Sequence, residues 1–141
     1  AYVPYGLYRL HGFYSPSLGV RRNAKGDTER VVKENDLAEF WEALNEMFAY
    51  DRSASRGEMR PRGLYVFTHE NSKGNAPAHK LFELIKVSPL DSERVRAFDE
   101  YSSNISVPEA GPLKERFQGV TLSHLIHDAG ANSNGAGPNV Q

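Results

Sequence analysis

Between Asp51 and Arg62 the chain places Arg52, Arg56, Arg60 and Arg62 against the acids Asp51 and Glu58. Arginine suits phosphate because its planar fork donates two parallel hydrogen bonds and never loses its charge. Ser53, Ser55 and Gly57 are small, which leaves main-chain amides open to close approach by a sugar–phosphate backbone. This pattern predicts a phosphate clamp. The competing reading is a solvated loop whose arginines pair with neighbouring carboxylates.

A second candidate surface lies near the start, where Arg9 and His11 alternate with Tyr5 and Phe13 along one face of an expected strand. Rings beside basic groups on a sheet are how RNA-recognition folds stack unpaired bases, although alternating aromatics also make ordinary core. Five histidines, at 11, 69, 79, 124 and 127, raise a metal or general acid–base reading. His124 and His127 are spaced to share a helical face, but no carboxylate–histidine motif surrounds them. His69-Glu70 lacks the second histidine of a zinc-protease helix. Ser53 and Ser55 lack the Gly-x-Ser-x-Gly elbow of a serine hydrolase. The rival function is therefore a small histidine- or metal-dependent RNase using His11, His69 or His79.

Composition narrows these choices. The 141 residues suffice for one domain, and 39% hydrophobic with 25% charged residues predicts a globular fold. A formal net charge of −1 means that any polyanion site must come from uneven placement of charge. The absence of cysteine excludes a disulfide framework, a thiolate zinc site and a cysteine nucleophile. It also fits a reducing cytoplasm. No apolar run approaches the length of a membrane span, and no cofactor is called for.

The elements that must hold these residues follow from periodicity. Tyr2 to Tyr14 reads as an extended strand, and residues 19 to 35 as a polar, basic loop. From Asp36 to Tyr50, Leu37, Phe40, Trp41, Leu44, Met47 and Phe48 recur at helical spacing, with Asp36 and Glu39 placed as a capping box or Asn35 as the cap. Gly63 to His69 reads as an interior strand buried on both faces. A shorter helix begins near Asn75 with Pro77 in its first turn and Ala78, Leu81, Phe82 and Ile85 facing inward. Residues 88 to 112 read as irregular, and Phe117 to His127 as a final strand with a short turn of helix. From Asp128 onward the Gly-, Ala-, Asn- and Ser-rich sequence predicts a disordered tail. Strand–helix–strand order suggests half of a ferredoxin-like α+β unit.

Several of these segments together resemble a known family. The helix Asp36-Leu-Ala-Glu-Phe-Trp-Glu-Ala-Leu, the turn Asp51-Arg-Ser-Ala-Ser-Arg-Gly-Glu-Met and the strand Arg62-Gly-Leu-Tyr-Val-Phe are similar to the type I-C CRISPR-associated backbone subunit of Cascade, in the RAMP superfamily. So are Gly74-Asn-Ala-Pro-Ala-His-Lys-Leu-Phe and Tyr5-Gly-Leu-Tyr-Arg-Leu-His-Gly-Phe. The resemblance runs from residue 5 to 86 and thins beyond, with Gly119-Val-Thr-Leu the last alignable segment.

The resemblance implies an α+β, RRM-like palm, present as its C-terminal half over residues 1–127. It implies a non-catalytic subunit that lines up in copies along a CRISPR guide RNA, contacts other Cascade subunits and supports target DNA recognition, with no membrane role. Arg52, Ser53, Arg56 and Gly57, followed by Arg60 and Arg62, fall in or beside the family's basic turn. Arg9 and His11 fall on its palm strand. The stretch from Leu18 to Asn35 is longer and more basic than the family pattern leads one to expect.

Overall fold

The computed structural model describes residues 5–49, 58–88 and 95–128. They form a mixed α and β architecture with small antiparallel sheets. A 3-10 turn at Pro16–Gly19 leads into a hairpin of β1 (Val20–Arg22) and β2 (Thr28–Arg30), followed by α1 (Glu34–Glu46). Then come β3 (Gly63–His69), α2 (Ala78–Phe82), β4 (Lys86–Val87), α3 (Asp99–Ser102), β5 (Ile105–Ser106), β6 (Gly111–Pro112) and β7 (Val120–His127). The principal sheet has the order β3-β7-β6, and β4 pairs with β5. Among the described residues, no helix is long and apolar enough to cross a membrane.

The best-formed contact is the antiparallel ladder of β3 on β7. Gly63 to His69 does form a strand, but as the edge of this sheet rather than its interior, and its side chains are mostly half-buried. β7 takes the central place because, among the described residues, it alone pairs on both sides, with β3 and β6. It runs straight to His127, so the short helical turn expected there is absent. The buried hydrophobic side chains are Leu81 of α2, Phe98 just before α3, and Val120 and Leu122 of β7. Leu81 thus holds the inward role that the helical spacing predicts. The stretch expected to be irregular contains β5, β6 and the four-residue α3, elements too short to leave a periodic signal.

Three other expectations change around residues 5–49. Residues 5–14 belong to no strand, and their backbone makes no hydrogen bond to another described backbone group. They are held instead by side chains: Tyr5 lies beside Tyr101, and His11 and Phe13 contact Phe82. The basic stretch 19–35 is not a plain loop, because it contains the β1–β2 hairpin. Helix α1 begins at Glu34, ahead of the expected Asp36. Asp36 sits in its first turn, where its carboxylate accepts the Lys33 N–H at 2.7 Å, so the acid caps from inside the helix. The apolar stripe of α1 is present, yet none of it is buried, and Phe40 remains 51% exposed.

Candidate nucleic-acid interface

The predicted clamp begins where α1 ends. Arg52, Ser53, Arg56 and Gly57 lie outside the described residues. What is described is the base of the turn, where Asn45, Phe48 and Ala49 from the helix end meet Glu58, Met59, Arg60 and Pro61 on the approach to β3. Between them lies an open cavity of about 210 Å³. Phe48, in the turn just past α1, and Met59, on the chain's return, are among its apolar lining. Arg60 is exposed at this rim, with no ion-pair partner among the described residues.

Arg62, only two positions on, is in a different situation. Its Nη1 lies 3.2 Å from Asp128 Oδ2, and its guanidinium sits 4.6 Å from the centre of the Phe98 ring. The Asp128 N–H also donates to the Arg62 carbonyl at 3.0 Å. Arg62 therefore ties the start of β3 to the end of β7 through charge, ring and backbone together.

Arg9 and His11 are brought to α2. The Arg9 guanidinium donates to the Ile85 carbonyl at 2.9 Å and to the Phe82 carbonyl. These are carbonyls at and just past a helix C-terminus, where a cation is favoured, and the Phe82 carbonyl also accepts the Ile85 N–H at 3.2 Å. The His11 ring stacks on Phe82 with centroids 4.1 Å apart and planes 10° from parallel. Tyr8 and Leu10 point away from this contact and are 80% and 86% exposed. The expected strand does not form: Arg9, His11 and Phe13 reach α2 or the carbonyl just past it, and Phe13 itself stays 75% exposed.

The histidines occupy separate environments. His69 Nδ1 accepts the Asn75 N–H at 2.9 Å, which leaves Nε2 to carry the proton of the neutral ring. His124 and His127 share a face of β7, not of a helix. Residues three apart on a regular strand point to opposite faces. Here the ladder slips between Leu64 and Tyr65 and leaves Leu125 unpaired, a bulge that returns both imidazoles to the Tyr65 side. Their centroids are 4.7 Å apart, with Tyr65 OH 2.9 Å from His127 Nδ1 and the His124 Nε2–H donating to the Pro108 carbonyl. Burial, and secondarily the Asp128 carboxylate, push the Tyr65 hydroxyl above its ordinary range. Among the described residues, no group of three or more His, Asp or Glu side chains is placed to hold a metal ion.

A family model for the CRISPR-associated protein Cas7 matches residues 1–106. The chain belongs to the Cas7 family. The match takes in residues 5–14, α1, the arginine turn, β3 and α2. It implies a CRISPR-associated, RNA-binding backbone role for this Cas7-family chain. No individual curated protein matched the chain. Sequence reasoning missed the cavity at the turn base, because Asn45 and Pro61 meet only after the chain reverses. It also missed the β1–β2 hairpin, although the turn residues Asn23 and Gly26-Asp27 signal one.

Proposed function

We propose that this chain is a non-catalytic, guide-RNA-binding backbone subunit of a type I-C Cascade complex, acting in the cytoplasm. Copies of it line up along one guide, contact other Cascade subunits and support recognition of target DNA. The observation that carries this reading is the Cas7 family match across the segments surrounding the arginine turn. The family's RRM-like palm is the framework in which we place β3, α2 and β7. Arg52, Arg56 and Arg60 grip the guide's phosphates, while Ser53 and Gly57 let the backbone come close. Arg62 anchors the base of the turn through Asp128 and Phe98. Arg9 and His11 hold residues 5–14 against α2.

Titrating labelled single-stranded RNAs of unrelated sequence tests this reading. Substituting Arg52, Arg56 and Arg60 together by Ala should weaken all of them evenly. The slope of log K against log salt should fall by about 2, at ~0.7 per lost phosphate contact. Unchanged affinity and slope would sink the clamp. Cleavage of the RNA by the purified chain, abolished by His79→Ala, would favour the nuclease reading instead.

A further inference from the structure

The β1–β2 hairpin has two chemically distinct faces. Its register pairs Val20 with Arg30, Arg21 with Glu29 and Arg22 with Thr28. Cross-strand partners share a face, so Arg21 and Glu29 stand on one side, where their side chains pair at 3.3 Å. Arg22 and Arg30 stand on the other with Val20 and Thr28. They are diagonal neighbours, which places their Cα atoms about 7–8 Å apart, and no acid shares that face.

Neither arginine has an ion-pair partner among the described residues, and every residue of both strands is exposed. Lys25 lies in the connecting turn, which is shaped rather than loose. Asn23 Oδ1 accepts the N–H groups of Lys25 and Asp27, and Gly26 takes φ 85°. From Val20 to Lys33 the cations Arg21, Arg22, Lys25, Arg30 and Lys33 face only Asp27 and Glu29. This excess stands out in a chain whose net charge is −1.

We infer that the Arg22–Arg30 face, with Lys25 at the tip, is a second nucleic-acid site that takes the phosphate backbone of double-stranded DNA. The inference rests on the Cas7 reading and adds to the clamp a ligand of a different form. Two unneutralised guanidinium groups on one flat ribbon are spaced to meet successive phosphates, which contribute affinity through charge and need no base readout. The hairpin carries no aromatic residue, so it lacks the stacking platform that holds single strands. A two-stranded ribbon also fits the major groove of B-form DNA, whereas the narrow groove of an RNA duplex excludes it.

The test uses the purified full chain with a fluorescent duplex DNA of arbitrary sequence and a single-stranded RNA of equal length, each titrated across salt. Arg22→Ala with Arg30→Ala should lower duplex affinity about tenfold at low salt. It should reduce the duplex salt slope by about 1.8, while RNA binding stays unchanged. Replacing both by Lys should keep most of the duplex slope. Arg21→Ala should leave it intact, because that cation is already paired.

No duplex binding by the parent chain at low salt overturns the inference. So does a double variant that loses RNA as much as DNA, or one that loses self-association in sedimentation with DNA binding intact. Loss of RNA binding by the parent chain alone would count against the guide-RNA reading and leave the duplex arm readable.

Discussion

Residues 5–49 and the stretch from Glu58 to Asp128 solve the problem of apolar surface in opposite ways. The later stretch supplies every hydrophobic side chain buried among the described residues, Leu81, Phe98, Val120 and Leu122. The earlier one buries only Gly19, although it contains the longest helix and the clearest amphipathic stripe. Hydrophobic stabilisation follows area removed from water, so a stripe that stays half-exposed contributes far less than its composition suggests. The difference teaches that periodicity reports which face of a helix is apolar and not whether anything covers it.

The comparison breaks or holds first on truncation of side chains. Leu81→Ala or Leu122→Ala should lower the unfolding free energy by about 2–5 kcal/mol. Phe40→Ala, at a position 51% exposed, should change it by about 0.5 kcal/mol or less. Urea denaturation followed by circular dichroism reads both. A Phe40 effect as large as that of Leu81 would mean that the α1 stripe is covered in solution.

Two glycines sharpen the same contrast at smaller amplitude. Gly26 in the hairpin turn and Gly119 before β7 both adopt positive φ, at 85° and 77°. A Cβ at Gly26 meets open space, so Gly26→Ala should cost about 1–2 kcal/mol for the backbone alone. At Gly119 the new methyl would also collide with the Asn75 carboxamide, whose oxygen receives the Asn71 N–H at 2.9 Å. Gly119→Ala should therefore be the costlier by at least about 1 kcal/mol. Equal costs would show that the Asn75 clip is loose.

What the sequence made legible divides along similar lines. Helix α1, β3 and α2 were readable because each follows from residues close in the chain: a stripe at 3.6 spacing, a run of β-formers, and a proline at a helix start. Pairing was not. The hairpin strands Val20-Arg-Arg and Thr28-Glu-Arg are short and charged, so no alternation marks them. The place of β3 at a sheet edge depends on β7, and the side of the sheet that His127 faces depends on the bulge at Leu125. Arg9 finds its carbonyl acceptors more than 70 positions away, and nothing local to Arg9 announces them. For the site, the cluster of arginines was legible from composition. Sequence could not reveal that Arg62 is tied to Asp128 while Arg60, at a cavity rim, has no ion-pair partner among the described residues.

The smallest expected effect concerns the end of the well-packed sheet. Tyr65 is held with its hydroxyl pKa raised, first by burial and then by the Asp128 carboxylate. The folded protein thus prefers the neutral phenol more strongly than the unfolded chain does, whose tyrosines ionise near pH 10. Below that pH both states keep the proton and the contribution to stability is fully present. As pH climbs through the raised folded value, the unfolded state has already lost its proton and gains relative stability. Alkaline denaturation should therefore begin earlier in the parent chain than in Tyr65→Phe, which has no proton to lose. At neutral pH the variant should instead lose about 0.5–1.5 kcal/mol, the usual net contribution of a hydrogen bond such as that to His127. Parallel alkaline curves for the two chains would show that the sheet end is wetter than its packing implies, and the contrast with the exposed N-terminal region would weaken.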